Sequence, residues 1–290
     1  EVIDSLDFDD EAKRIVSYIK GLPTFEANNL KQIAVLFRTN AQSRSIEEVL
    51  SSEDIPYDLV SGFNFYDRKE IEDLLLYLIA AYDIDLQGDE ALRKIMNVPF
   101  RFLGKSFFDN VKSYQQKMKM GFEEALRDIS LTKQQQIQID GLLDIIDQLR
   151  YKNGKNPHEL LNFIIGKIDY LNYLRRHEGE GDSENNRISN IKELLRATEK
   201  FDTAESFLRY IEELKTKRNE QGTKNKIILS SIHRAKGLEW DDVIVIGCND
   251  LILPHGNSLF DENQIEEERR LAYVAITRPK ERLALSYVKQ

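Results

Sequence analysis

Ser230-Ser231-Ile232-His233-Arg234-Ala235-Lys236-Gly237-Leu238-Glu239-Trp240-Asp241 is preceded by a short apolar run, Ile227-Ile228-Leu229, and followed by a second, Val243-Ile244-Val245-Ile246. Both runs are β-branched and nearly continuous, the pattern of strands buried on both faces of a largely parallel sheet. The stretch between them is the connection from one strand to the next, and it holds His233, Lys236 and Glu239. In parallel sheets, ligand-binding groups collect beyond the carboxyl ends of strands, which places these three where a ligand can be reached. Taken alone, His233 and Lys236 are equally ordinary surface polar groups.

Outward from this point the periodicity changes twice. Ala12, Ile15, Val16 and Ile19 form a helical stripe that ends before Gly21 and Pro23; Ile33 to Phe37 reads as a strand, Ile46, Val49 and Leu50 as a helix, and Tyr57 to Val60 as a short strand. This α/β pattern resumes only after Lys226. Between the halves the apolar spacing is helical: Ile71, Leu74, Leu75, Leu78; Phe122, Ala125, Leu126, Ile129; Leu142, Ile145, Ile146, Leu149; Ile188, Ile191, Leu194, Leu195. The expectation is an α/β domain over 1–66 and 222–290 with an all-helical domain, 67–221, inserted into it.

With 290 residues and 41% hydrophobic content the chain can bury two cores. Its one cysteine, Cys248, excludes an internal disulfide and fits a reducing, cytoplasmic compartment. No signal peptide or long apolar span is present, so no membrane role is expected. The four histidines and the cysteine lack any metal-ligand spacing, and no metal site is expected. The formal charge of -9 does not favour a polyanion partner. Local distribution decides that question, because counterion release depends on the groups facing the phosphates. Arg93, Lys94, Arg101, Lys105, Lys112, Lys117 and Lys119 stand against Asp109 alone over 93–119, whereas Glu178, Glu180, Asp182 and Glu184 cluster in a Gly-rich stretch that reads as a loop.

Four blocks carry a family resemblance. His233 to Glu239 after a strand, and Glu266-Glu267-Glu268-Arg269-Arg270-Leu271-Ala272-Tyr273-Val274-Ala275-Ile276-Thr277-Arg278, resemble the fifth and sixth motifs of the superfamily-one DNA helicases of the UvrD/Rep/PcrA family. Phe37-Arg38-Thr39-Asn40-Ala41-Gln42-Ser43-Arg44, continuing to Phe65-Tyr66-Asp67-Arg68-Lys69-Glu70, resembles a run in that family's second motor domain. Asn97-Val98-Pro99 through Gly104 is similar to a turn in its helical domain. The resemblance implies a RecA-like parallel-sheet motor domain, called 2A, carrying a helical insertion, called 2B.

It also implies roles. Arg278 would stabilise charge on the transferring phosphoryl group of ATP, as a finger from a facing domain. Glu239 would accept from the nucleotide ribose. Arg270 is a further nucleotide candidate, although Arg269 and Arg270 can equally pair with Glu266, Glu267 or Asp241. Pro279 stands where the family has alanine. Asn40, His233 and His255 would contact single-stranded DNA. Arg234, where the family pattern differs, adds a positive charge for the backbone. Tyr66 either touches DNA or, with Phe63 and Phe65, packs at the junction of the two domains. Lys105 follows a turn expected to approach duplex phosphate, but Phe102 occupies the place of its first glycine.

No Gly-x-x-x-x-Gly-Lys-Thr phosphate loop occurs in the chain, which begins at Glu1. The chain therefore reads as half of a two-part ATP machine, lacking activity alone, with ATP and Mg²⁺ held mainly by the N-terminal motor domains of the same polypeptide. Single-stranded DNA and a duplex junction are the implied partners, with repair or replication proteins beside them. Two alternatives remain: the motor part of a nuclease-associated recombination helicase of the AddA/RecB kind, and a non-catalytic DNA- or protein-binding fragment.

Overall fold

A computed structural model describes residues 1–60, 63–82, 87–152, 154–178, 182–220 and 225–289. The chain divides into two compact units, Glu1–Phe65 with Glu212–Gln290, and Tyr66–Ile211.

The first unit is built on six strands: β1 (Val2–Ser5), β2 (Ile33–Phe37), β3 (Tyr57–Leu59), β4 (Ile227–Ser231), β5 (Trp240–Val245) and β6 (Pro279–Val288). They form one sheet in the order β1-β6-β5-β2-β4-β3, and every neighbouring pair is parallel. Helices α1 (Phe8–Lys20), α2 (Pro23–Glu26), α3 (Ser43–Ser52) and, late in the chain, α13 (Glu262–Ile276) belong to this unit. Alternation along β2 explains why the strand is apolar throughout. Ile33, Val35 and Phe37 pack with Ala12, Ile15, Ile19, Ile46 and Leu50 on one face. Ala34 and Leu36 face the other way, against Ile232, Trp240, Leu271 and Ala275. Asp7 caps α1, its carboxylate accepting from the N–H groups of Asp9 and Asp10.

The helical unit contains α4 (Lys69–Tyr82), α5 (Gly88–Ile95), α6 (Lys105–Met118), α7 (Phe122–Asp128), α8 (Lys133–Tyr151), α9 (Pro157–Lys167), α10 (Tyr170–Glu178), α11 (Asp182–Thr198) and the start of α12 (Ala204–Glu220). Ile71, Leu74 and Leu78 of α4 are fully buried, as are Leu142, Ile146 and Leu149 of α8. A polar network accompanies these stripes. Asn190 accepts from the Arg68 guanidinium at 3.0 Å and donates to Glu70 at 2.6 Å, while the Tyr170 hydroxyl donates to Asp73 at 2.8 Å.

Three expectations need revision. The second junction falls inside α12, between residues 211 and 212, and not at 221; Lys217, on the last turns of that helix, donates to the Ser52 carbonyl and pairs with Asp54 of the α/β unit. The acidic run is largely helical: Glu178 closes α10, and Asp182 and Glu184 lie in α11. Glu180 lies outside the described residues, as do the side chains of Glu178, Asp182 and Glu184. Arg93 and Arg101 are not part of an outward basic face. Arg93 lies over the Phe122 ring and donates to Gln115, and Arg101 turns onto backbone carbonyls.

Candidate functional site

The strand order sets the site. β2 is flanked by β4 and β5, so the segments leaving these three strands lie side by side at the carboxyl edge. Phe37 is opposite Ser231 in the β2/β4 register, and the Ile232 N–H still donates to the Phe37 carbonyl at 2.9 Å. Asn40 begins a single helical turn three residues beyond β2 and is half-buried; His233 follows β4 by two residues and is exposed. Fully buried Ile232 and Ala235 anchor the His233 turn, leaving His233, Arg234 and Lys236 outward.

Gln42 fastens this edge. Its side-chain oxygen accepts from the N–H groups of Arg38 and Thr39 at 3.0 and 2.9 Å, and its amide donates to the Ile246 carbonyl beyond β5 at 3.2 Å. Gly247 has φ +63°, which glycine adopts without strain, and a Cβ there would displace the Gln42 amide from its place. The Gly247 N–H donates to Glu11, which also accepts from Ser286 at 2.6 Å. Burial pushes the Glu11 carboxyl above its ordinary range against the effect of these two donors, and it also raises the Cys248 thiol to about 11.

A second tie joins the edge to α13. Arg38 donates through Nε to both Glu268 carboxylate oxygens at 3.0 Å and through Nη2 to Oε1 at 2.6 Å. Glu268 also accepts from the His255 N–H at 3.1 Å and the Ser258 hydroxyl at 3.3 Å. Burial alone would raise the Glu268 carboxyl, but Arg38, the His255 N–H and Ser258 together hold it below the usual range. The His255 ring accepts from the Asn257 N–H through Nδ1 at 3.3 Å. Asn40, His233 and His255 thus belong to three segments at one edge.

Glu239 lies at the opposite edge. Because β4 and β5 are parallel, residues 232–239 return along the length of the sheet, so His233 sits beyond the carboxyl end of β4 and Glu239 just before the amino end of β5. The expectation that both occupy the carboxyl edge is therefore corrected. Arg278 lies near Glu239: its Nη1 donates to the Leu238 carbonyl at 3.2 Å, and the Trp240 N–H donates to the Arg278 carbonyl at 3.2 Å. Nε donates to the Val274 carbonyl at 2.9 Å and Nη2 to the Thr277 hydroxyl at 2.9 Å. Among the described residues no carboxylate pairs with Arg278, and the exposed Glu239 has no hydrogen-bond partner. These contacts orient the arginine without neutralising it.

The remaining site residues separate. Arg270 pairs with Glu267 at 3.2 Å and Arg269 with Glu266 at 2.5 Å, the local ion pairs that their spacing allows. Tyr66 is 6% exposed and meets Phe207 edge-on, with ring centroids 6.3 Å apart, so it is a packing residue in this structure and its proposed DNA contact is not supported. Lys105 is exposed at the first position of α6. The described residues contain no group of three or more His, Cys, Asp or Glu side chains able to hold a metal, and no helix among them is long and apolar enough to cross a membrane.

Sequence reasoning missed the Arg38–Glu268 pair, although a signal exists. Within Glu266-Glu267-Glu268, Glu268 stands three and seven residues before the buried Leu271 and Ala275, but Glu267, at four and eight, shares the same helical stripe, so the sequence narrows the choice to two and the structure makes it. A carboxylate on a buried stripe requires a partner.

A parallel sheet interrupted by a helical unit, with polar strand-end residues along one edge, has the layout of a RecA-like motor domain carrying a helical subdomain. The model of the UvrD-like helicase C-terminal domain matches residues 1–290, and the chain belongs to that family. It is 34% identical to the ATP-dependent DNA helicase PcrA of Bacillus subtilis strain 168 over 296 residues, covering 96% of this chain and 39% of that protein. The corresponding PcrA of Staphylococcus aureus strain Mu50 is 33% identical, covering 89% of this chain and 36% of the relative. That of Staphylococcus epidermidis RP62A is 31% identical, covering 96% and 39%. The chain thus spans about two-fifths of the length of these relatives.

Proposed function

We propose that the intact polypeptide couples ATP hydrolysis to movement along single-stranded DNA and to strand separation, and that this chain supplies its second motor domain. The observation that carries the reading is α13, a single helix clamped at its middle, through Glu268, to Arg38 and the His255 segment, and with Arg278 two residues beyond its C-terminal end. Eight residues of helical rise, from Glu268 to Ile276, span about 12 Å. A rigid element of this kind can relate a change at the DNA-facing edge to the placement of a cation at the nucleotide-facing edge.

In this reading Asn40, His233 and His255 hold successive units of the DNA strand, and Arg234 adds attraction to its backbone. Glu239 accepts a hydroxyl of the nucleotide ribose. Arg278 stabilises negative charge on the transferring phosphoryl group, a role favoured by its fixed orientation and its lack of a carboxylate partner. ATP would supply the phosphoryl group and Mg²⁺ would offset the charge on it, both held mainly by other motor-domain residues of the intact polypeptide. The isolated 290-residue chain accordingly has no ATPase activity of its own.

The test is phosphate release and strand displacement by the intact polypeptide on single-stranded and forked DNA. Stimulation of ATPase by single strands, together with displacement on forks, is expected. Absence of both would replace the motor with a passive binding fragment, and vigorous turnover by the isolated chain would refute the division of labour.

A further inference from the structure

The turn between α5 and α6 presents two phenylalanines to solvent. Phe100 is 52% and Phe102 77% exposed, and their rings form a tilted pair with centroids 4.6 Å apart. Phe102 has φ +59°, in the left-handed region that glycine enters freely and L side chains enter at a cost. Two large apolar side chains held in water, one on a strained backbone, do not serve folding. Such outliers point to a binding role when the surroundings over-determine them.

The surroundings do so. Arg101, between the two phenylalanines, turns inward: its Nη1 lies at 2.9, 3.0, 3.0 and 3.3 Å from the carbonyls of Ile95, Met96, Val98 and Pro99, and its Nη2 donates to the Tyr77 hydroxyl at 2.8 Å. That hydroxyl donates in turn to the Val98 carbonyl at 2.5 Å. Asn97 closes the turn, accepting from the N–H groups of Arg101 and Leu103 at 3.3 and 3.2 Å and donating to the Leu103 carbonyl at 2.8 Å. Buried Val98 and Leu103 flank the pair. The backbone that carries the rings is therefore locked, which lowers the ordering cost of binding.

The neighbouring charge selects the ligand. Lys105 lies three residues beyond Phe102, and Lys112 follows it two turns along the same face of α6; both are exposed, and neither has a carboxylate partner among the described residues. Asp109 is the one acidic residue over 93–119. Cations beside an aromatic face match a ligand with phosphates and flat apolar rings.

We propose that Phe100 and Phe102 form a stacking platform for a nucleobase at the point where single-stranded DNA leaves a duplex, with Lys105 and Lys112 holding the adjoining phosphates. This proposal rests on the DNA-motor reading and adds a base contact made by the helical unit. Unpaired or terminal bases are its targets, because a base inside an intact duplex has no free face to offer.

The test uses the intact polypeptide and DNA carrying 2-aminopurine at the first unpaired position of a fork, with a blunt duplex carrying the same base internally as comparison. Wild-type protein should alter the fork fluorescence through stacking. Combining Phe100→Ala with Phe102→Gly should abolish that change and weaken fork binding about tenfold, the order of one base–aromatic stack, with the salt slope and blunt-duplex affinity unchanged. Lys105→Ala should lower the salt slope by about one on the fork. Phe102→Gly alone should melt at or above the wild-type temperature, since glycine relieves the positive φ. A lower melting temperature would make the pair a packing element and overturn the proposal, as would unchanged fork affinity and fluorescence in the double variant, which would point to a protein partner. Wild-type protein that binds no DNA would overturn the motor reading itself, a result separable from failure of the platform alone.

Discussion

Arg38 and Glu268 are 230 positions apart in sequence, yet the arginine holds both oxygens of the carboxylate, with its shortest contact at 2.6 Å. The pair is nearly dry, with the side chains 12% and 4% exposed, and Glu268 also accepts from the His255 N–H and Ser258. One carboxylate therefore fixes the exit from β2, the His255 segment and α13 relative to one another.

Glu268→Ala should lower unfolding free energy by about 3 kcal/mol or more, because it leaves the Arg38 guanidinium buried without its counter-charge. Denaturant unfolding of the purified chain measures this loss. In the intact polypeptide, the milder Glu268→Gln should reduce DNA-stimulated ATPase more than basal ATPase. Equal loss of both would confine Glu268 to a folding role.

Arg278→Ala should leave single-stranded DNA binding nearly intact and lower kcat for ATP by roughly 10³-fold or more, the scale of arginine fingers. Arg278→Lys should recover little, since an ammonium cannot reproduce a guanidinium held at Nε, Nη1 and Nη2 by separate acceptors. An ATPase kcat near wild type in Arg278→Ala would reassign the residue to holding the junction between α13 and β6.

Glu11 supplies a pH test. Burial raises its folded carboxyl above the unfolded value, so the folded state binds the proton more tightly. Its contribution to stability is therefore fully present below the unfolded carboxylate range and is lost as pH rises through the higher folded value. Glu11→Gln should flatten that part of the stability profile while retaining an acceptor for the Gly247 N–H and the Ser286 hydroxyl. Melting temperatures of both proteins between pH 4 and 8 on the order of one-unit steps would show it; parallel profiles would mean that Glu11 titrates as an ordinary carboxylate.

The sheet was legible where apolar runs are continuous, because β2, β4 and β5 are buried on both faces. At the edge of the sheet, β1 carries only Val2 and Ile3 as apolar residues, and β6 mixes charge with apolar positions from Pro279 onward, so neither shows that pattern. The residues of the candidate site were legible as types, but their edges were not. His233 and Glu239 are six positions apart in sequence, yet parallel topology sends them to opposite ends of the sheet, a separation that only strand order reveals. The destination of Arg101 was equally hidden, since an arginine satisfied by backbone carbonyls looks like a surface group in sequence, whereas packing was already one of the two readings open for Tyr66.

The last prediction separates two nucleic-acid surfaces. Asn40 and His233 stand at adjacent strand ends of the α/β unit, whereas Lys105 and Lys112 lie on α6 of the helical unit. In the intact polypeptide, combining Asn40→Ala with His233→Ala should weaken single-stranded DNA binding and uncouple ATPase from DNA stimulation. Neutralising Lys105 and Lys112 should act chiefly on forked DNA and lower the slope of log K against log salt by about two, one counterion for each phosphate contact. Fluorescence titrations on single-stranded and forked DNA at several salt concentrations distinguish these outcomes. Equal losses on both substrates from both sets of substitutions would merge the two surfaces into one, and unchanged single-strand binding in the first set would remove Asn40 and His233 from the DNA track.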